Sequence, residues 1–388
     1  MSNTQFTITD QQRDYSQFGL SENPFPYSPV PDDDPAVYCG QEHATREISE
    51  TVSTVLSTGK SKHLVITAKY GNGKSHTLKY TRSLIRDRSD VIVGYVAQPG
   101  EGFHDIYQEF IYDLGFDRIQ RLAYEYLAVL SCEVTEFEPT GPDEMQRLID
   151  DGEILLSELI PEAIRRLNEI TAFADFARAM LHMVYEDTNL YAWQWLTADG
   201  IRYEQRKQME IHSALDDDTS SVRAFTALKN LVVELGYTGI FLFIDEFESI
   251  SRLSPKDKQT TLNSIRHLMD QNSHGLCVLF GCAPEVWQDV MSEYHAFSER
   301  IGKEVALKPL SDENLRYLVR SYLELARESG EETLAPFGED GLNVVLQYSQ
   351  GNIRQALSIC SQTLDQAVEQ DLDVIDAAFV EAQISNRS

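Results

Sequence analysis

In the segment Leu64–Ser75, LVITAKYGNGKS, an apolar run breaks into a glycine-rich turn that ends in Gly-Lys-Ser. These residue types at this spacing can hold a nucleotide phosphate. Glycines let a loop backbone wrap an anion with its N–H groups pointing inward. Lys74 would then bring a cation to the β- and γ-phosphates, and the Ser75 hydroxyl would take a place on Mg²⁺. The helix expected to follow turns the positive end of its dipole toward the same anion. The candidate binding residues are therefore Ala68, Lys69, Tyr70, Gly71, Asn72, Gly73, Lys74, Ser75 and His76, the Walker A pattern. Ala68 stands where the first glycine is usual, which predicts a slightly stiffer loop.

A second group of residues extends the chemistry from binding to reaction. Gly239–Ile250, GIFLFIDEFESI, is an apolar run closed by Asp245 and Glu246. Such a run reads as a parallel strand buried on both faces. Two carboxylates at its end are poorly solvated unless a metal or a reacting water uses their charge. Asp245 is expected to hold Mg²⁺ through its water shell, and Glu246 to orient and deprotonate the attacking water. Either motif alone could be a surface turn or a solvated strand end. Both together, in this order, point to ATP and Mg²⁺ as ligands.

The elements that must position these residues alternate. Candidate strands are His63–Ala68, Val91–Val96, Ile240–Ile244, Leu276–Gly281 and Glu304–Leu307, with helices over 74–87, 103–114, 221–235, 256–272 and 284–293. Alternation of this kind gives an α/β fold with a parallel five-stranded sheet, and ligands bind at the carboxyl ends of its strands, where both motifs fall. The region 116–218 is too long for a plain crossover. It is rich in helical patterns, interrupted at Pro139, Gly141 and Pro161, and reads as a large helical insertion. Its aromatic cluster YAWQWL (Tyr191–Leu196) reads as core rather than as a platform for stacking bases. After Pro309 the pattern is wholly helical. Ser311 caps a helix with Asp312 and Glu313 in its first turn, and Leu315, Leu318, Tyr322 and Leu325 are expected on its buried face. The resulting organisation is a polar tail (1–20), a nucleotide-binding domain (21–115 and 219–309), the insertion (116–218) and a C-terminal all-helical lid (310–388).

Two arginines are candidates for reaching a phosphate. Asn352 and Gln355 have capping-box spacing, so Arg354 falls in the first turn of a helix, where a cation opposes the dipole. That local conflict suggests a task at the γ-phosphate. Arg300, in FSERIGKEVAL before the last strand, is a candidate arginine finger for a neighbouring subunit, or else a surface arginine paired with Glu299.

With 388 residues, the chain can form two or three domains. No apolar run approaches the roughly 18 residues of a membrane helix, and the polar opening has no signal-peptide pattern. The five cysteines are scattered without metal-ligand spacing, as expected of reduced thiols in a cytoplasmic protein. Acids outnumber bases 62 to 33, a formal charge of −29, in scattered runs such as Asp32–Asp34 and Asp216–Asp218. That surface suits high salt and a halophilic source. It also repels nucleic acid, so any DNA contact must come from a local basic patch such as Arg202–Lys207 or Lys256–Lys258.

The chain resembles the AAA+ P-loop ATPases in AKYGNGKS, IFLFIDE, the strand LCVLFGCAP, SERI and GNIRQAL, over roughly residues 35–370. The opening, with NPF (Asn23–Phe25) and YCGQE (Tyr38–Glu42), is similar to the segment that lies near adenine in the origin-recognition-like branch. AWQWLTADGIRYEQRKQMEI, GYTGIFLFIDEFESI and LFGCAPEVW look closest to the ATP-binding proteins of BREX-type phage-defence loci. The resemblance makes Arg354 a sensor 2 residue. It also puts Gly281-Cys282-Ala283 where sensor 1 normally offers Asn, Ser or Thr, and Cys282 is a poor donor for positioning water. Origin-binding relatives carry a winged-helix domain beyond the lid, and none is expected here after the helices of residues 310–388. The resemblance implies an ATP hydrolase that drives conformational change or assembly, as a homo-oligomer or in a hetero-complex with other proteins, with possible DNA contact and no membrane. The alternatives are a nucleotide-gated switch with negligible hydrolysis and a replication-initiator-like DNA-loading ATPase.

Overall fold

Runs of β-branched and aromatic residues fold into five strands of one parallel sheet: β1 (Lys62–Thr67), β2 (Val91–Val96), β3 (Gly239–Ile244), β4 (Leu276–Cys282) and β5 (Lys303–Ala306). The computed structural model describes residues 13–26, 35–327 and 330–385; residues 1–12 of the expected tail and the Asp32–Asp34 run lie outside the described residues. The spatial order is β2-β3-β4-β1-β5. Every residue of β3 and β4 is buried, as central strands covered on both faces must be. The register Thr67↔Cys282 and Ile244↔Phe280 brings the carboxyl ends of β1, β4 and β3 to one edge of the sheet.

The helices are α1 (Glu42–Thr58), α2 (Lys74–Ser83), α3 (Phe103–Leu114), α4 (Phe116–Val134), α5 (Pro142–Asp150), α6 (Leu156–Thr171), α7 (Ala174–His182), α8 (Asn189–Leu196) and α9 (Tyr203–Gln208). There follow α10 (Asp218–Glu234), α11 (Pro255–Gln271), α12 (Pro284–Glu293), the single turn α13 (His295–Ser298), α14 (Asp312–Ala326), α15 (Glu339–Ser349), α16 (Ile353–Glu369) and α17 (Ala377–Ser385). The chain divides into two compact units. One comprises His43–Ala68 and Leu78–Ala306; the other comprises residues up to Glu42, Lys69–Thr77 and residues from Leu307 onward.

The first unit has one continuous apolar core, to which β1–β4 and helices α3–α8 and α10–α13 contribute. The insertion is part of that core. Trp195 is buried against Phe173 and donates its indole N–H to the Ser213 carbonyl at 2.9 Å, while Trp193 meets Tyr112 and Phe116 edge-on. The YAWQWL cluster therefore packs protein against protein. Pro161 does not interrupt the chain; it lies inside α6. Its ring forfeits one intrahelical hydrogen bond, but Leu159, Ala163 and Leu167 remain buried along one face and keep the helix continuous.

His63 on β1 is buried, and burial pushes its imidazole down to about 4. It stays neutral and accepts the Val278 N–H at 3.3 Å. Because the folded pKa lies below the unfolded one, the unfolded chain binds the extra proton first. The stabilisation is present above about pH 6.5 and is lost as pH falls toward 4, a loss of about 3 kcal/mol. Urea unfolding from pH 7 to pH 4 should therefore show a flatter acid limb for His63→Gln than for the unmodified protein.

The second unit has its own core, formed by α14–α17 together with Tyr15, Leu20, Phe25 and Val37. Residues 13–20, expected at the end of a polar tail, are thus built into this helical unit, as are residues 21–26. Asp365 on α16 accepts hydrogen bonds from Tyr15 and Asn23, both at 2.6 Å, and pairs with Arg13. Ser311 caps α14 as expected, accepting the Asn314 N–H. Leu325, however, is 60% exposed while Leu315, Val319, Tyr322 and Ala326 are buried. At about 100° per residue, Leu325 lies about 80° off the line through Leu315, at the margin of the stripe.

No disulfide joins any of the five cysteines. Among the described residues, no helix is long and apolar enough to cross a membrane.

Candidate nucleotide site

The Gly-rich loop belongs to the second unit. Gly71 and Gly73 have φ of 82° and 89°, left-handed torsions that favour glycine, whereas Ala68 is not among the residues of positive φ. The missing first glycine is thereby explained: alanine fits that position without strain. Asn72 and Lys74 are buried, and the Asn72 Oδ1 has no hydrogen-bond partner among the described residues. The Asn72 N–H closes a turn onto the Lys69 carbonyl at 3.1 Å. Lys69 and Tyr70 are exposed.

Beside the loop lies a cleft lined by Val37, Tyr38, Cys39, Gly73, His76 and Tyr322, among others. The Tyr38 and His76 rings stack with centroids 6.0 Å apart, and His76 Nε2 lies 2.6 Å from the Val37 carbonyl oxygen. The YCGQE turn therefore adjoins the loop within this unit. Arg354 is in the first turn of α16, as its capping pattern predicts. Its guanidinium lies 4.3 Å from the Tyr70 ring centroid, a cation–π contact, and its Nε has no hydrogen-bond partner among the described residues.

The acidic pair belongs to the first unit, at the carboxyl end of β3. Asp245 is buried; one carboxylate oxygen accepts the Tyr95 hydroxyl at 2.8 Å and the other accepts the Glu246 N–H at 2.8 Å. Burial and the Asp245 charge push the Tyr95 hydroxyl far up, so it remains a donor. Arg82 lies over the Tyr95 ring and donates from Nη2 to both carboxylate oxygens of Asp113, at 3.0 and 3.1 Å, and Asp113 in turn accepts the Tyr95 N–H at 2.8 Å. A side chain at Gly281 would lie 2.8 Å from an Asp245 oxygen, so glycine on β4 leaves the carboxylate its place. Glu246 adopts a left-handed backbone, φ 44°, rare for a non-glycine and common at functional sites. Its carboxylate accepts the Gln98 side-chain amide at 2.8 Å.

Cys282 is fully buried, and its carbonyl accepts the Ala68 N–H at 3.4 Å. Arg300 is held by Asp270 on α11, with Nε 2.7 Å from the carboxylate, rather than chiefly by Glu299 at 3.4 Å. Tyr95 and Gln98 carry no motif. Their only sequence signal is a polar side chain at and just beyond the end of an otherwise apolar strand.

A glycine-rich loop between β1 and α2, an acidic pair ending β3, a five-stranded parallel sheet ordered β2-β3-β4-β1-β5 and a helical unit after the sheet define an AAA+ P-loop protein. The model of the family described as BREX system ATP-binding protein BrxC/D matches residues 30–326, and the chain belongs to that family. Over 106 residues it is 26% identical to an uncharacterised helix-turn-helix-type transcriptional regulator of Methanocaldococcus jannaschii, covering 27% of this chain and 26% of that protein. The match thus spans about a quarter of that curated relative. Similar solved structures include the Aeropyrum pernix ORC1 protein in complex with DNA (12% identity, TM-score 0.47, covering 92% of this chain and 68% of that one). Another is the Aeropyrum pernix ORC2 protein in ADPNP–ADP complexes (12% identity, TM-score 0.49, covering 94% and 71%).

Proposed function

We propose that the chain binds ATP with Mg²⁺ on the loop of residues 68–76, hydrolyses it, and uses the cycle to drive assembly with partner proteins in a DNA-associated phage-defence system. The observation that carries this reading is the loop itself: left-handed torsions at Gly71 and Gly73, a buried Lys74, and a buried amide oxygen of Asn72 with no partner among the described residues.

In this reading the adenine lies in the cleft beside Tyr38 and His76. The loop N–H groups and Lys74 would take the phosphates; Ser75 would offer its hydroxyl, and Asp245 its carboxylate through the water shell, to Mg²⁺, which would supply charge to neutralise the phosphates. An oxygen-only set of so few protein groups suits Mg²⁺, which keeps several of its waters. Among the described residues, no cluster of three or more His, Cys, Asp or Glu side chains offers an all-protein metal cage. Glu246 accepts the proton as water attacks the γ-phosphorus and the bond to ADP breaks. Arg354 exchanges the Tyr70 ring for the γ-phosphate, which couples nucleotide to the helical unit. Arg300 can serve a neighbouring subunit only by giving up Asp270.

A second reading, a nucleotide-gated switch with negligible hydrolysis, is favoured by Cys282 at the sensor 1 position. A single-turnover experiment, with trace γ-labelled ATP and excess protein across a salt series suited to the −29 charge, separates the two. Release of labelled phosphate within minutes supports the ATPase. Persistent bound ATP supports the switch, and no bound ATP at any salt overturns both.

A further inference from the structure

Helix α16 does more than carry Arg354. Its N-cap, Asn352, uses its side-chain oxygen in the ordinary way, accepting the Gln355 N–H at 3.1 Å. Ser, Thr or Asp would serve that purpose as well. Asparagine alone among the common caps also carries side-chain amide donors, and here one is used: Asn352 Nδ2 donates to the Tyr70 carbonyl at 2.7 Å. The next loop carbonyl, Gly71, accepts the Arg354 backbone N–H at 3.1 Å, one of the amides that a helix start leaves without an internal partner. Two consecutive carbonyls of the phosphate loop are thus docked on the first turn of α16. The contact is close: a side chain at Gly71 would lie 2.5 Å from the Asn352 oxygen.

The helix start is itself anchored. The Gly351 carbonyl accepts the Leu310 N–H at 2.8 Å, and the Asn352 N–H donates to the Ser349 carbonyl at 2.8 Å. A peptide unit is planar, with its C=O and N–H pointing in opposite directions. Holding the Tyr70 carbonyl therefore fixes the direction of the Gly71 N–H, on the face away from α16. A loop whose amides are fixed in advance binds an anion without first being ordered.

We infer that Asn352 is a positioning residue for the phosphate loop: its side-chain amide, acting through the Tyr70 carbonyl, holds the loop in the form that receives ATP. This rests on the ATP reading above only for the identity of the ligand; the ordering of the loop is measurable without it.

The test compares Asn352→Ser, which keeps an uncharged cap acceptor but cannot reach Tyr70, with Asn352→Ala, which loses both. Hydrogen exchange of a peptide covering residues 69–77 is read without nucleotide, followed by ATP titration and thermal unfolding. Both variants should exchange faster in this peptide and bind ATP more weakly, each by about fivefold for one lost hydrogen bond. Both variants should lose thermal stability, the alanine variant more because it also loses the cap. If Asn352→Ser leaves the exchange of residues 69–77 at the unmodified rate, Asn352 is a cap alone and the inference is overturned. Faster exchange in a protein that binds no ATP would leave the positioning role standing and sink the ATP assignment instead.

Discussion

Glu246→Gln should still bind ATP with the affinity of the unmodified protein while hydrolysis falls by about 10²–10⁴-fold, the range typical of losing a general base. The substitution is nearly isosteric. The amide it introduces can still meet the Gln98 side chain, and the left-handed turn that aims the residue is a backbone property. Only the capacity to accept a proton disappears. Steady-state phosphate release and equilibrium ATP binding, measured on one preparation, check the split. Unchanged turnover would remove Glu246 from the chemistry. If hydrolysis is already negligible in the unmodified chain, the switch reading is the better one, and the buried Cys282 gives its physical reason.

Lys74→Ala acts one step earlier. Lys74 is buried at the end of the loop, and removing a cation that meets phosphate in a desolvated site costs about 2–4 kcal/mol. ATP affinity should therefore fall about 30- to 1000-fold. The fold should persist, because Lys74 opens α2 and belongs to neither apolar core. Calorimetric titration reads the affinity, and circular dichroism checks the fold. Equal affinity in Lys74→Ala and the unmodified protein would place ATP elsewhere.

What could be read from the sequence follows from what is local. A phosphate loop needs torsions that glycine supplies and a charge at a fixed distance along the chain, so Gly71, Gly73 and Lys74 were visible as letters. The same holds for β3 and its two carboxylates, and for Arg354, which a capping pattern placed in the first turn of α16. Partners distant in sequence were not visible. The Tyr95 hydroxyl on Asp245 and the Gln98 amide on Glu246 each join residues about 150 apart. The donation from Asn352 to the loop spans 282 positions. Nor could the sequence show that Arg13 and Tyr15 converge with Asn23 on Asp365, since the polar segment 1–20 reads as a tail until its acceptor is known. Leu325 and Pro161 misled for a narrower reason. Helical spacing and proline both state preferences, and the depth of the surrounding core decides whether they prevail.

The central claim is that ATP is held by the loop and cleft of the second unit. A photoreactive azido-adenine analogue of ATP, crosslinked and mapped by peptide mass spectrometry, tests it most directly. The label should fall within residues 37–41 or 72–77, disappear with excess ATP and Mg²⁺, and be lost in Lys74→Ala. Labelling elsewhere, or labelling that survives both competitor and substitution, would contradict the account.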